Sequence, residues 1–247
     1  MKHYLNLLRG SEKLAMGLLI TALCSTSFYS TNVLAASISG QIDVLKKGGR
    51  KKLISAEYAV VYLSASDATK GALLTAAPVS DKPIIINQKK KRFFPRLMPL
   101  VKGQTVHFYN QDELEHNVFS TEEKNSFDLG RYVKGDFRPV TYDTTGNYKV
   151  YCNIHQKMIL DILVLDNQYF TVTDEDGQFT LDNVPVGDYQ LNVWHIYGGK
   201  SEQAVTITDQ PLTLPGMAIT STKVVREIVK HANKFGKKYK KKGRYRR

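Results

Sequence analysis

Cys152 lies in a short polar segment between two apolar runs, and this segment is the strongest constraint on the fold of the chain. The two runs have the length and composition of β-strands. The segment reads Cys152-x2-His155-x2-Met158, and Cys152 is the only cysteine after residue 35. A tight loop between two strands can bring these three side chains to one point. The sequence therefore predicts a pair of strands that presents a thiol, an imidazole and a thioether together.

Soft sulfur ligands combined with imidazole suit copper. A further ligand is expected upstream, where the chain offers two histidines. His107 alternates with apolar residues along a predicted strand and so faces away from the core, whereas His116 follows a polar turn and opens a new strand. His116 is therefore the better candidate. The predicted ligand set of two imidazoles, one thiolate and a weak axial thioether is His116, Cys152, His155 and Met158.

Several further motifs accompany these ligands in chain order: Phe94-Pro95, Lys102–Val106 leading to Asn110-x-Asp112, His116-Asn117, Phe127-x-x-Gly130 and Gly146–Tyr151. On these residues the stretch 80–166 resembles a cupredoxin, the plastocyanin and amicyanin type of blue-copper domain. The resemblance implies one type 1 copper per chain. It also implies that Asn117 ties the two ligand loops together by hydrogen bonds and that Tyr151 is an aromatic beside the copper. Asn153-Ile154 replaces the proline that is common in this loop, which leaves the reduction potential open.

Two other interpretations of the same residues remain. A single cysteine in a β protein is often a small buried hydrophobic residue, and single histidines are often ordinary polar residues. Zinc also binds cysteine and histidine, although methionine is a poor zinc ligand.

Residues that copper enzymes need are missing from the sequence. A dinuclear electron-transfer centre would need a second cysteine in the loop, and multicopper oxidases or copper nitrite reductases need additional histidines, usually in His-x-His pairs. The other histidines after residue 35 occur singly, at His107, His195 and His231. We therefore predict an electron carrier and not an enzyme. The alternatives are a copper-binding protein for trafficking or protection and an envelope adhesion module with a vestigial metal site.

Residues 1–35 have the pattern of a secretory signal peptide. A basic start is followed by the apolar run Leu14–Leu23 and by Val33-Leu34-Ala35, which is a small-residue cleavage pattern. The expectation is a periplasmic or secreted protein, cleaved near Ala35. An uncleaved anchor is the alternative interpretation.

A second β domain is predicted on both sides of the cupredoxin stretch. Strand patterns at Ile38–Val44 and Ala56–Leu63 precede that stretch, and Tyr169–Thr173, a predicted hairpin turn at Asp174–Gly177 and Pro185-x-Gly187-x-Tyr189 follow it. Residues 36–70 and 167–222 together resemble a carboxypeptidase regulatory-like (transthyretin-like) β-sandwich. The predicted fold class is all-β: a Greek-key cupredoxin sandwich inserted in a second small β-sandwich. Alternatively, the N-terminal strands extend the cupredoxin.

Positive charge is concentrated at the C-terminus. Lys223 to Arg247 contains twelve Lys and Arg against the single acidic residue Glu227, whereas the whole chain has a net charge of +12. Apolar residues from Val225 to Phe235 recur at helical spacing, so a short amphipathic helix is predicted, followed by a disordered end. The tail is expected to attract an anionic membrane surface or an acidic partner. A transient redox partner protein is expected in addition. Nucleic acid is disfavoured because the chain is predicted to be exported, and a tail that only increases solubility remains an alternative.

Overall fold

The computed structural model describes residues 35–52, 58–66, 74, 82–222 and 230–239. Most of the predicted signal peptide and parts of the predicted tail therefore lie outside the described residues. The described elements longer than three residues are all strands, which confirms the all-β prediction. In chain order the strands are β1 Ala35–Leu45, β2 Ala59–Ala65, β3 Ile84–Lys89, β4 Arg92–Phe94, β5 Leu97–Val101, β6 Thr105–Asn110, β7 Val118–Ser120, β8 Phe127–Asp128, β9 Phe137–Thr141, β10 Gly146–Cys152, β11 Ile159–Leu165, β12 Phe170–Val172, β13 Gln178–Pro185, β14 Gly187–His195, β15 Lys200–Ile207, β16 Leu212–Thr213 and β17 Met217–Thr220.

The middle of the chain forms two facing sheets, which we call the central sandwich (residues 84–165). One sheet has the order β5-β11-β10-β7-β8 and the other has the order β4-β3-β6-β9. Along β6, buried and partly exposed residues alternate, as expected for a strand with one face on the core. The buried side chains between the sheets include Phe108, Val150, Cys152, Met158 and Leu160. Two of the predicted metal ligands are thus part of the hydrophobic core.

The remaining strands form two further sheets, which we call the flanking sandwich (residues 35–65 and 170–220). One sheet has the order β13-β1-β16, with β17 also paired to β1, and the other has the order β12-β2-β14-β15. Strands from before and after the central sandwich therefore pair with each other. The turn at Asp174–Gly177, predicted as a hairpin, instead joins β12 in one sheet to β13 in the other, because each of these strands finds its partner elsewhere in the sandwich.

Strand β11 belongs to the contact between the two sandwiches. Its alternate residues Leu160 and Ile162 face the core of the central sandwich. Leu163 and Leu165 form a separate buried cluster with Val60 of the flanking sandwich. Because both faces of β11 are covered, the strand that follows the predicted ligand loop is fixed from two sides.

The C-terminal segment differs from the sequence prediction. Residues 230–239, which we call the strap, are irregular where the sequence predicts the end of a helix and the start of a disordered region. The physical reason is a local turn: Asn233 Oδ1 accepts hydrogen bonds from the backbone N–H groups of Phe235 (3.0 Å) and Lys237 (2.9 Å), which competes with helical pairing. Gly236 completes the turn with a positive φ of 72°. The predicted helical residues 223–229 lie outside the described residues.

Candidate metal centre

The loop between β10 and β11 is closed by its own backbone. Cys152 N–H donates to Met158 O (3.3 Å), His155 N–H donates to Cys152 O (3.3 Å), and Met158 N–H donates to His155 O (2.9 Å). The antiparallel register pairs Tyr151 with Ile159, so the loop contains only the residues between them. These bonds hold the cysteine, the histidine and the methionine of the motif at one end of the central sandwich.

Three predicted ligands meet at this end. Cys152 Sγ lies 3.5 Å from His116 Nδ1 and 3.4 Å from His155 Nδ1, and the two Nδ1 atoms are 3.1 Å apart. His116 reaches the others from the segment before β7, which pairs with β10 through Cys152 and Val118. Among the described residues this is the group of three ligating side chains that could hold a metal ion. His107, the rejected candidate, stacks on Phe137 instead (ring centroids 4.3 Å).

The size of this triangle fits one metal ion. Bonds of about 2.0 Å to nitrogen and about 2.3 Å to sulfur, in a tetrahedral arrangement, place ligand atoms about 3.3–3.5 Å apart. The observed separations of 3.1–3.5 Å are of that size. A thiolate with two imidazoles also has the donor softness that copper prefers.

Met158 lies in the same buried cluster as Cys152, and neither residue has any solvent exposure. Its backbone closes the ligand loop, as described above, so its side chain is held at the end of the sandwich where the other ligands meet. The thioether thus belongs to the core next to the three ligands, and its role as a weak fourth ligand stays a prediction.

The carboxylate of Asp112, which is not one of the predicted ligands, orients His116. Asp112 Oδ2 lies 3.0 Å from His116 Nε2, and the two Asp112 oxygens also accept the backbone N–H groups of Lys90 (2.5 Å) and Lys91 (2.8 Å). An Nε2–H donated to this carboxylate leaves the Nδ1 lone pair for a metal. The sequence offers one sign of this contact, since Asp112 precedes His116 by four positions within a polar turn.

The pKa values around this pair follow from burial and hydrogen bonding. Burial lowers the pKa of His116, and the hydrogen bond to Asp112 offsets only part of that effect. Burial raises the pKa of Asp112, but the Lys91 and Lys90 N–H groups and the His116 ring outweigh it and lower the pKa overall. Asp112 is therefore an ionised acceptor for a neutral imidazole at neutral pH.

Burial affects the two side chains of the ligand loop in opposite ways: it favours the neutral imidazole that can bind a metal, and it disfavours the thiolate that can do so. Burial, followed by the repulsion that a protonated His116 ring would exert, lowers the pKa of His155 to about 4, so its ring is neutral at neutral pH. Burial raises the pKa of the Cys152 thiol, although backbone N–H groups of Asn117, Ile154 and His155 partly stabilise the thiolate. A metal ion that binds here has to displace the thiol proton.

Asn117 joins the two segments that supply ligands. Its carbonyl oxygen accepts the backbone N–H of Asn153 (2.8 Å), and its side-chain amide donates to Asp128 Oδ1 (2.5 Å). Tyr151 directly precedes Cys152 in β10, and its place beside a copper ion stays a prediction. Side chains alternate along a strand, so its ring lies on the opposite face from Cys152, against Phe119 (5.6 Å). Within the described residues, no ring contact or hydrogen bond joins Tyr151 to the three ligands.

Comparison with known proteins gives partial likenesses. Residues 158–213 match the family model of domain II of polysaccharide lyase family 4. This segment covers β11 to β16 and no strand before the central sandwich, so the carboxypeptidase regulatory-like resemblance stays a prediction. The comparison with curated proteins found no match.

Three solved structures are similar to part of this chain. A copper-containing nitrite reductase from Thermus scotoductus is 22% identical over 38% of this chain and 24% of its own, with a TM-score of 0.34. A purple cupredoxin from Nitrosopumilus maritimus is 21% identical over 33% of this chain and 99% of its own (TM-score 0.30). An oxidised amicyanin mutant is 22% identical over 37% of this chain and 90% of its own (TM-score 0.33). The chain thus spans only about a quarter of the nitrite reductase. These similarities are too partial to support the metal assignment, which depends on the ligand geometry.

Among the described residues, no helix is long and apolar enough to cross a membrane.

Proposed function

We propose that the chain is an exported type 1 copper protein that carries single electrons between redox partners in the cell envelope. The observation that carries the proposal is the triangle of Cys152 Sγ, His116 Nδ1 and His155 Nδ1, with sides of 3.1–3.5 Å. Met158 would supply the weak fourth ligand. Copper, when bound, supplies a one-electron redox couple.

The protein would favour electron transfer by fixing its ligands and excluding water. Cys152, His116 and Met158 have no exposure, and His155 is only partly exposed. Hydrogen bonds hold His116 through Asp112 and hold the loop through its own backbone. Side chains held in this way would change position little when the charge on a bound metal changes. The structural rearrangement during electron transfer would therefore be small. His155, as the partly exposed ligand, would be the point at which electrons enter and leave.

The same burial favours a carrier over a trafficking protein. A protein that delivers copper must let a recipient reach the ligands, and here three of the four are inside the core. Copper oxidases and copper nitrite reductases bind substrate at a further copper held by additional histidines, and the described residues contain one group of metal-ligating side chains. We therefore propose a carrier without catalytic activity.

The partners and the location are part of the proposal. A transient redox partner protein would dock near His155 through a small interface. The basic residues Lys223 to Arg247 would attract an anionic membrane surface or an acidic partner. Export by the predicted signal peptide would place the protein in the periplasm or outside the cell.

Copper loading of the mature chain, residues 36–247, tests the proposal. We expect an intense visible thiolate-to-copper charge-transfer band, a type 1 paramagnetic spectrum and a reversible one-electron reduction. A colourless protein that exchanges copper readily with a chelator would instead support trafficking. Tighter binding of zinc than of copper would support the zinc interpretation.

A further inference from the structure

The strap lies on the ligand loop, although more than 70 residues separate the two in sequence. We infer that the strap is a clamp whose residues position the copper ligands Cys152 and His155. This inference deepens the proposed function and rests on it for the copper itself, whereas the contacts belong to the protein alone. Neither the charge of the tail nor its apolar spacing indicated such a role.

The first attachment is a tyrosine hydroxyl. Tyr239 Oη donates to the carbonyl oxygen of Cys152 at 2.9 Å. The same carbonyl accepts the N–H of His155 within the loop (3.3 Å). Tyr239 therefore adds a second donor to one of the oxygens that close the ligand loop.

The second attachment is His231. Its backbone N–H donates to Gln156 O (3.2 Å), and its ring nitrogen Nε2 lies 3.3 Å from His155 O. His155 O also accepts the N–H of Met158 (2.9 Å), so again the strap reaches a carbonyl that the loop itself uses. The His231 ring packs on Tyr151 (centroids 4.6 Å), which directly precedes the cysteine.

The third attachment connects the two ligand-bearing segments. The backbone N–H of Lys234 donates to Asn153 Oδ1 (3.0 Å), and its ammonium group pairs with the carboxylate of Asp128. Asp128 in turn accepts the side-chain amide of Asn117, the residue after His116. Lys234 therefore holds the ligand loop and the His116 segment together from outside.

These attachments fix the strap mainly to the metal centre. Every described hydrogen bond from the strap to the rest of the chain ends on the ligand loop or on Asp128. The strap also borders a cavity of about 480 Å³, lined in part by Arg96 and Tyr197. Because the contacts concentrate on Cys152, Asn153, His155 and Gln156, removal of the strap should loosen those residues selectively.

Amide hydrogen exchange of the metal-free protein tests the clamp without copper. A chain that ends at Thr222 loses the strap but keeps every described strand, since β17 ends at Thr220. We expect faster exchange of the His155 and Met158 amides, by about five-fold for each hydrogen bond lost, while the Ile162 amide in β11 stays unchanged. Equal acceleration at all three amides would indicate general destabilisation, and no change at any of them would also overturn the clamp.

Point variants test the attachment in the copper-loaded protein. Tyr239→Phe removes the hydroxyl that reaches Cys152 O but keeps the ring, which contacts His231 edge-on. Lys238→Gln is the matched control, because Lys238 is exposed in the same segment. We expect Tyr239→Phe to shift the reduction potential and the paramagnetic copper spectrum and to speed copper release to a chelator, and Lys238→Gln to change none of them.

The outcomes separate the clamp from the proposed function. If the copper complex is colourless but truncation selectively speeds amide exchange in the ligand loop, the proposed function is contradicted and the clamp is supported. If the protein is blue and its copper is reduced reversibly, the proposed function is supported. If its reduction potential, copper spectrum and loop amide exchange are also the same with and without the strap, the clamp is contradicted.

Discussion

Two of the short polar loops that join successive strands in the described part of the chain make a useful comparison. The loop from Cys152 to Met158 places a thiol and a thioether inside the core, and it is held by Asn117 and by the strap. The loop Asp174–Gly177 is mostly exposed, and Asp174 Oδ1 accepts the N–H groups of Asp176 (3.0 Å) and Gln178 (2.8 Å). Its last two carbonyl oxygens, on Asp176 and Gly177, accept hydrogen bonds from β1 (3.1 and 2.8 Å). Both loops bond to their own backbone and to distant residues, so support alone does not distinguish them. The difference is that the first loop buries side chains that can bind a metal, whereas Asp174 in the second loop is exposed and bonds to the loop's own N–H groups.

The largest expected effect is the loss of the thiolate. Cys152→Ala should abolish the visible charge-transfer band, because no other cysteine follows residue 35. Absorption and paramagnetic spectra of the copper-loaded variant measure this effect. His107→Gln is the control, since His107 stacks on Phe137 away from the ligands, and it should keep the band. A band that survives in Cys152→Ala would contradict the assignment of the ligand loop.

The next effect concerns the carboxylate behind His116. Asparagine cannot accept hydrogen bonds at both of the positions that Asp112 uses, so Asp112→Asn should leave the His116 ring poorly oriented. We expect copper affinity to fall about 10- to 100-fold, as measured by competition with a chelator. Glu113→Gln alters the adjacent exposed carboxylate and should leave the affinity unchanged. Equal affinities for the two variants would show that Asp112 has no orienting role.

A smaller change is expected at the thioether. Met158→Leu nearly conserves volume in a fully buried position, so the fold should be kept at a cost below about 1.5 kcal/mol in the free energy of unfolding. Loss of a weak donor to cupric ion favours the reduced state, so the reduction potential should rise while copper stays bound. Voltammetry measures the potential. An unchanged potential would mean that Met158 does not reach the metal.

The smallest effect is expected in the other loop. Asp174→Ala removes the acceptor for two backbone N–H groups, which should lower the free energy of unfolding by about 1 kcal/mol. Thermal unfolding measures this loss, and the copper spectrum should stay the same. Glu175→Ala is the control within that loop, because Glu175 makes no described hydrogen bond. A changed copper spectrum in Asp174→Ala would break the distinction between the two loops.

Spacing and alternation in the sequence predict much of this architecture. The all-β class follows from alternating strands and turn residues, and the structure confirms it. The Cys-x2-His-x2-Met spacing led to a tight loop, and the structure brings Cys152, His155 and His116 together with Met158 in the adjacent core. These features are local or depend on strand periodicity, and both can be recognised directly in the sequence.

Contacts between distant side chains could not be predicted in the same way. Tyr239 and His231 reach the ligand loop across more than 70 residues, and nothing in their spacing marks those partners. The apolar period before Phe235 favoured a helix, whereas the Asn233 side chain forms a local turn. The packing of the Tyr151 ring on Phe119 and His231, with ring centroids 5.6 and 4.6 Å apart, likewise has no local sign in the sequence.

X-ray absorption at the copper edge of the loaded protein tests the central claim most directly, because it reports the ligands of the metal itself. The account predicts one short bond to sulfur from Cys152 together with two nitrogen ligands from His116 and His155. A copper shell made only of nitrogen and oxygen would contradict it.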